Sequence, residues 1–355
     1  MESQSRRPVR LGFLGCGRVT TTLHLPALRR VPEISVAAVA DQDGDRAAAV
    51  RRTWNIGGTH PTLPALLADE SLDAIAVCTP PAQHADAACA VLASGKALFL
   101  EKPLAPSLAD CDRILAAAAG ATAPAVVGFN LRQHALLLEG RSLIRRGALG
   151  EIEAIRSSFT TDIRLTTPLP AWRDRRQEGG GALQEIGTHH FDLWRWLLGA
   201  EIMEVSATGQ DAAAADILAS VTARLTTGAL ATGFFAERTY PSNQVEILGT
   251  EGRLRISLYD FDGLGFTPRS TAPGSVADRL ARVRRTVAAL PTGIASALRG
   301  GQYLATFATA WRQFALTAHR QAEPAATLAD GRAAALIGLA AIESARSGAT
   351  VSVAR

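Results

Sequence analysis

An apolar run from Val9 to Leu14 stops at Gly15-Cys16-Gly17-Arg18-Val19-Thr20. Strand, glycine turn and helix start follow one another without a gap. The pattern is G-x-G-x-x-G/A, with Thr20 in the place of the third small residue. Gly15 allows a tight turn, and Gly17 lets backbone come close to a pyrophosphate. The following helix aims its first N–H groups at that anion, and Arg18 and Val19 share the turn. A chain that begins this way is expected to bind a dinucleotide.

Pro26 falls inside the first helix and predicts a kink or restart near His24-Leu25-Pro26. His24 is read as a packing or capping residue, with an approach to the cofactor as the alternative. The second strand, Ile34 to Ala40, ends at Asp41, 26 positions after Gly15. A carboxylate there accepts hydrogen bonds from both ribose hydroxyls of NAD and repels the 2′-phosphate of NADP. NAD is therefore favoured, and Arg46 nearby keeps NADP open.

The strand Asp73 to Val77 ends in Cys78-Thr79-Pro80-Pro81. Two prolines force an extended turn, which puts Thr79 and Pro80 against the nicotinamide or its ribose. His84 opens the next helix; it is read as mainly structural, with cofactor contact as the alternative. A further apolar run, Ala97 to Leu100, ends abruptly in Glu101-Lys102-Pro103. It reads as a buried parallel strand, so the charged pair lies at the edge where open α/β sheets bind ligands. Lys102 is a candidate proton donor or acceptor, Glu101 holds it in position, and Pro103 is a site for a cis bond. The simpler alternative is a surface Glu-Lys pair closing a strand.

With 355 residues and 47% apolar content, the chain suits two domains. No run approaches the ~18 apolar residues of a membrane helix. Met1 to Arg10 lacks the apolar core of a signal peptide, so a soluble cytoplasmic protein is expected. A net charge of +4, from arginines scattered among acids, makes no case for nucleic acid or a membrane as partner. Cys16, Cys78, Cys89 and Cys111 form no CxxC pair and read as reduced thiols.

In the second half, Gly179 to Gly181 reads as a flexible lead-in to a helix from about Ala182 to Leu198. Glu185, His189 and Asp192 stand at i, i+4 and i+7, on one face, beside an apolar stripe of Leu183, Ile186, Leu193 and Leu197. His189 is the candidate substrate-side group, oriented by Glu185 or Asp192; a solvated face of i,i+4 pairs is the plain alternative. His190 is read as structural. Without a further ligand cluster no metal site is expected. Asn130 and Arg132 come after the last strand of the first half, and Trp172 and Arg173 precede the glycines. An aromatic face beside a guanidinium suits sugar stacking and hydroxyl contacts, although loops also bury tryptophan as packing.

The order of the glycine turn, Asp41, Thr79-Pro80-Pro81…His84 and Glu101-Lys102-Pro103 resembles the Gfo/Idh/MocA oxidoreductases. So does the later stretch Gly179-Gly180-Gly181-Ala182-Leu183-Gln184-Glu185-Ile186-Gly187-Thr188-His189-His190-Phe191-Asp192. The resemblance covers nearly the whole chain. It implies an α/β fold: an N-terminal Rossmann domain over residues 1–127 and a C-terminal α+β domain over 128–355, with an open, mostly antiparallel sheet. It also implies NAD(P) at the glycine turn, a sugar or polyol over Lys102, and homo-oligomers, dimers or tetramers, formed through that sheet. Glu185 stands where the family's dehydrogenases commonly carry Asp. Beyond the strands of the second half, 259–301 departs from a sheet pattern. It carries Arg269, Arg279, Arg282, Arg284, Arg285 and Arg299, with Val276, Leu280, Val283 and Val287 on one helical face. A plain packed surface helix is expected there; a lid, a subunit contact and an anion site are the alternatives.

The expected reaction is hydride transfer between nicotinamide and a secondary alcohol or ketone of a sugar, polyol or sugar derivative. Lys102 and His189 hold the hydroxyl, and one of them takes its proton. Two rivals are an NADPH-dependent ketoreductase of a nucleotide-linked keto-sugar and a non-catalytic cofactor sensor.

Overall fold

The computed structural model describes residues 7–165, 169–212, 215–297 and 301–353. The chain divides into two compact units, Met1–Asn130 with Thr306–Arg332, and Leu131–Ala305 with Ala333–Arg355. The expected boundary placed everything after residue 127 in the second domain. Instead 306–332 groups with the first unit, because Trp311 and Phe314 pack against Phe13 and Phe99 of that unit's sheet and Phe307 packs against His24.

The first unit carries β1 (Val9–Leu14), β2 (Ile34–Ala40), β3 (Gly58–His60), β4 (Ala74–Val77), β5 (Ala97–Leu100) and β6 (Ala125–Val127). They form one sheet in the order β3-β2-β1-β4-β5-β6, and every pairing is parallel. The β-branched and leucine runs are buried on both faces, as a helix-covered sheet demands: Leu11, Phe13, Ile75, Leu98 and Leu100 are sealed from solvent. The order reverses at β1, between β2 and β4, so the carboxyl ends of β1, β2, β4 and β5 define the ligand edge. Helix starts are set locally. Asp43 accepts from Arg46 N (3.0 Å) ahead of Gly44–Trp54, and Ser107 accepts from Asp110 N (3.1 Å) ahead of Leu108–Ala119.

The second unit is built on an eight-stranded sheet. Its strands are β7 (Ile152–Asp162), β8 (Ile202–Ala212), β9 (Ala215–Leu225), β10 (Leu230–Ala236), β11 (Arg238–Gly249), β12 (Gly252–Ser257), β13 (Leu264–Pro268) and β14 (Val351–Ser352). They run in the order β13-β12-β11-β7-β10-β9-β8-β14, antiparallel except where β7 meets β10. The helix Thr188–Leu198 packs Phe191 and Trp194 against Phe235 of β10, and Trp194 Nε1 donates to Ser157 Oγ of β7 (2.9 Å).

The segment 259–301 differs from expectation. It contains β13 and the helix Val276–Ala297, whose apolar positions are exposed and not packed. Arg299 lies outside the described residues. Among the described residues no helix is long and apolar enough to cross a membrane, and no cluster of His, Cys, Asp and Glu is placed to hold a metal ion.

Candidate functional site

The glycine turn leaves β1 with Gly15 at φ +99°, a conformation that L side chains rarely adopt. A Cβ there would sit 2.4 Å from the Cys78 carbonyl oxygen at the end of β4. At Gly17 a Cβ would meet nothing within 4 Å, so that side of the turn is open. The turn is tied to β2: Asp41 Oδ2 accepts from Cys16 N (2.7 Å), while Oδ1 accepts from Asp43 N (2.9 Å) and faces Arg46 Nη1 at 3.5 Å. Thr20 has its own explanation. It is buried, and its hydroxyl donates to Gly15 O (2.7 Å), so a side-chain bond braces the turn where a small residue would only pack. Arg18 is exposed and Val19 half-buried at the head of a π-helical turn, Thr20–His24, that passes into Leu25–Leu28 at the expected restart. Burial pushes the Cys16 thiol up to about 12, which leaves it an inert thiol.

Lys102 follows β5 through a carboxylate that is itself anchored. Glu101 is buried; its Oε1 lies 3.0 Å from His24 Nε2, and its Oε2 accepts from Lys102 N at 3.0 Å. His24 also faces Trp311, whose indole N–H donates to His24 Nδ1 (3.1 Å). Indole nitrogen only donates, so His24 Nδ1 is the acceptor and Nε2 carries the proton given to Glu101. Phe13, Phe99 and Phe307 enclose the ring. Gly128 completes the enclosure, since a Cβ there would meet Glu101 Oε1 at 2.9 Å. The Lys102–Pro103 peptide is cis. His84 staples the neighbouring turns, with Nδ1 2.9 Å from Pro103 O and Nε2 2.9 Å from Thr79 O, and burial lowers its pKa. Thr79 Oγ1 is buried with no hydrogen-bond partner among the described residues, an unsatisfied polar atom at the ligand edge beside Pro80. Asn130 is buried and donates to Thr306 Oγ1 (2.8 Å).

In the second unit the helix bearing His189 opens with a π-helical turn, Leu183–Gly187, before Thr188–Leu198. Glu185 thus lies in the π turn, and His189 and Asp192 lie in the α-helix that follows. Glu185 faces Arg173, whose Nη2 lies 3.5 Å from Glu185 Oε1 and 3.0 Å from Glu237 Oε1. Asp192 instead receives a two-pronged bond from Arg132, Nε to Oδ2 at 2.8 Å and Nη2 to Oδ1 at 2.5 Å, with both residues buried. Expected as substrate contacts, Arg132 and Asp192 form an internal brace. His189 is buried against Phe159, and His190 meets Asn243 Oδ1 (3.1 Å), its pKa held down to about 4 by burial. The glycines are not a flexible lead-in. A Cβ on Gly180 would lie 2.2 Å from Arg173 O, and Gly181, at φ +99°, packs on Asp216. They press the Trp172–Arg173 turn onto the helix start, with Arg173 5.8 Å from the Trp172 ring centre. Asp216 anchors that start by accepting from Leu183 N (2.8 Å).

Comparison with known proteins agrees with this layout. Residues 9–129 match the oxidoreductase family with an NAD-binding Rossmann fold, and 137–255 match the GFO/IDH/MocA C-terminal domain. Myo-inositol 2-dehydrogenase of Thermotoga maritima is 28% identical over 255 residues, 69% of this chain and 74% of that protein. The dTDP-3,4-didehydro-2,6-dideoxy-alpha-D-glucose 3-reductase of Actinomadura kijaniata is 31% identical over 270 residues, 74% of this chain and 77% of its own. The chain belongs to the Gfo/Idh/MocA oxidoreductases. Its fold is also that of the WlbA dehydrogenase of Bordetella pertussis, solved with NADH and UDP-GlcNAcA; the TM-score is 0.81 at 22% identity, covering 98% of this chain and 99% of that one.

As a Gfo/Idh/MocA oxidoreductase the chain binds NAD, and the turn fits it: Gly15 closes on β4, Gly17 leaves room, and Thr79 offers an unsatisfied hydroxyl. Glu237 was missed by sequence reasoning. It is buried, and burial, reinforced by Glu185 and only partly offset by Arg173, raises its pKa to about 7. The signal was present: Phe234-Phe235-Ala236-Glu237 is an apolar strand ending in a carboxylate, the same pattern as Phe99-Leu100-Glu101.

Proposed function

We propose that this oxidoreductase interconverts a secondary alcohol and its ketone on a sugar, polyol or sugar derivative. NAD, when bound, supplies the hydride acceptor or donor. Gly15, Gly17, Arg18 and Val19 are assigned to its pyrophosphate, Asp41 to the adenosine ribose, and Thr79, Pro80 and His84 to the turn beside the nicotinamide. Glu101 sets the backbone from which Lys102 reaches the reacting oxygen. Lys102 opposes the negative charge that develops on that oxygen, and His189 takes or returns its proton. Glu185 and Arg173 order the polar end of the same helix, and Trp172 offers an aromatic face to the sugar. The reading extends to a cytoplasmic enzyme without nucleic-acid or membrane partners, assembled through its eight-stranded sheet, where Leu230 and Phe234 of β10 lie exposed.

The observation that carries this reading is the anchored Glu101. A buried carboxylate held by a histidine on one oxygen and by Lys102 N on the other presets the lysine at the ligand edge. The test is absorbance at 340 nm with NAD and NADP against inositols, free sugars, sugar phosphates and nucleotide-sugars. Lys102→Ala should lose at least about a hundredfold in kcat while NADH binding, followed by fluorescence, survives. Normal turnover by that variant would refute the assignment. A second reading, reduction of a nucleotide-linked keto-sugar with NADPH, is favoured by the Actinomadura relative and by Arg46, 3.5 Å from Asp41. It requires NADPH oxidation with keto-substrates and no NAD reduction with alcohols.

A further inference from the structure

One face of the eight-stranded sheet carries a row of charges that does not balance. Arg156 of β7, Glu246 of β11 and Arg255 of β12 stand opposite one another in register. Ser157, the next residue on β7, accepts from Trp194 of the helix Thr188–Leu198 (2.9 Å). Side chains alternate along a strand, so the charged row lies on the sheet face away from that helix. Glu246 is the row's only carboxylate, and both of its oxygens are engaged. Arg156 Nε donates to Oε2 (2.9 Å), and Arg253 Nη1 lies 3.7 Å from Oε1. The Arg255 guanidinium has no hydrogen bond or ion pair among the described residues.

The next neighbour of Arg255 in register is Gly265 of β13, which has no side chain. That place is filled from the helix Val276–Ala297 instead. Arg285 donates from Nη1 to Phe266 O (3.1 Å), and its Nη2 lies 3.5 Å from where a Gly265 Cβ would stand. Opposed Cβ positions on antiparallel strands are about 5 Å apart. A second guanidinium is therefore held over the position opposite Arg255, where a carboxylate able to pair with both is replaced by glycine.

Arg255 and Arg285 line one cavity of about 680 Å³ between the sheet and the helix. Arg282, also in its wall, is taken up by the buried Asp278. Asp260 and Asp262 line the end beyond β12, where Asp262 Oδ2 accepts from Thr286 Oγ1 (2.5 Å). Ser158, Gln244 and Ser257 form the next row on the charged face and give the floor uncharged hydroxyl and amide groups.

We propose that this cavity binds a small phosphorylated metabolite, its phosphate between Arg255 and Arg285 and its hydroxyls over Ser158, Gln244 and Ser257. Two guanidiniums match the charge of about −2 on a phosphate monoester at neutral pH, and their planar forks match its oxygens. The volume falls within the roughly 300–1,000 Å³ of sites that hold whole small molecules rather than bare ions. The site lies across the sheet from the helix bearing His189 and does not depend on the catalytic reading.

The test titrates glucose 6-phosphate into the full chain saturated with NADH, so that the glycine turn is already filled. Calorimetry should show one molecule bound per chain and no binding of glucose. Arg255→Ser and Arg285→Ser should each weaken that binding at least about tenfold, with NADH affinity and circular dichroism unchanged. Gly265→Asp supplies the missing carboxylate, and its Cβ has ordinary van der Waals room. That variant should keep its NADH affinity and lose glucose 6-phosphate. No binding by wild type, or undiminished binding by the arginine variants or by Gly265→Asp, would overturn the proposal. So would equal binding of glucose and glucose 6-phosphate, which means that the sugar and not the phosphate is recognised.

Discussion

Glu237→Gln should remove a pH dependence that works against the wild-type fold. The carboxyl is 2% exposed, and burial raises its pKa from 4.5 to about 7 against the partial help of Arg173. Below pH 4.5 the group is protonated in both the folded and the unfolded chain and contributes nothing. Between 4.5 and about 7 the unfolded chain releases its proton while the folded chain retains it, so folding loses ground as pH rises. Above about pH 7 the loss is complete. At about 1.4 kcal/mol per pH unit, a gap of about 2.5 units corresponds to about 3 kcal/mol. Glutamine keeps the shape and an acceptor for Arg173 Nη2 but has no proton to exchange. The stability of Glu237→Gln relative to wild type should therefore rise by about 3 kcal/mol between pH 4.5 and pH 8. Urea unfolding of both proteins, followed by tryptophan fluorescence at half-unit pH steps, measures that difference. A difference that stays flat across the range would mean that Glu237 ionises as an ordinary carboxylate, and the argument from burial would fail.

Trp311→Phe removes the indole donor to His24 Nδ1 while keeping an aromatic ring in place. A buried acceptor left unpaired costs about 1–3 kcal/mol of stability, and kcat should fall roughly tenfold with little change in KM, because Lys102 loses its preset; equal kcat in wild type and variant would show that the His24–Glu101 link does not position the lysine. Gly15→Ala puts a Cβ 2.4 Å from Cys78 O at a positive φ, so NADH titration should show binding weakened by at least about a hundredfold, whereas Gly17→Ala, with open space at its Cβ, should bind far better than Gly15→Ala. Arg132→Met leaves Asp192 buried without its fork and should cost about 3–5 kcal/mol in chemical denaturation; Arg132→Met/Asp192→Leu should regain most of it, and a double variant no better than the single one would argue that the pair is not a self-contained brace.

Much of the first unit was legible because its signals are local. Each of β1, β4 and β5 is an apolar run that ends at residues with an evident role, respectively Gly15, Thr79 and Glu101. Ser107 announces the helix Leu108–Ala119, whereas the cap of Gly44–Trp54 is Asp43 and not Asp41, whose carboxylate is bonded to Cys16 N. The π turns were not legible. Thr20–His24 and Leu183–Gly187 read as ordinary helix, because an i to i+5 bond wins over i to i+4 only when neighbouring elements demand the extra width. Nor were the partners that the fold brings to the helix bearing His189 legible: Arg173 pairs with Glu185 and with Glu237, and Arg132 pairs with Asp192.

By itself, then, the sequence determined the strand-and-turn grammar of the nucleotide-binding unit and the residue types at its ligand edge. It also carried the composition of the Val276–Ala297 helix, with apolar and basic positions in separate stripes. Those properties depend on neighbours a few positions away. Tertiary structure decided which charges meet. Arg132 finds Asp192 across 60 positions, His24 finds Trp311 across 287, and Arg173 finds Glu237 across 64. It also decided that the apolar stripe of that helix faces outward. A periodicity states that a face is apolar; only the packing of the polar face on β13 and its loops fixes which way it points.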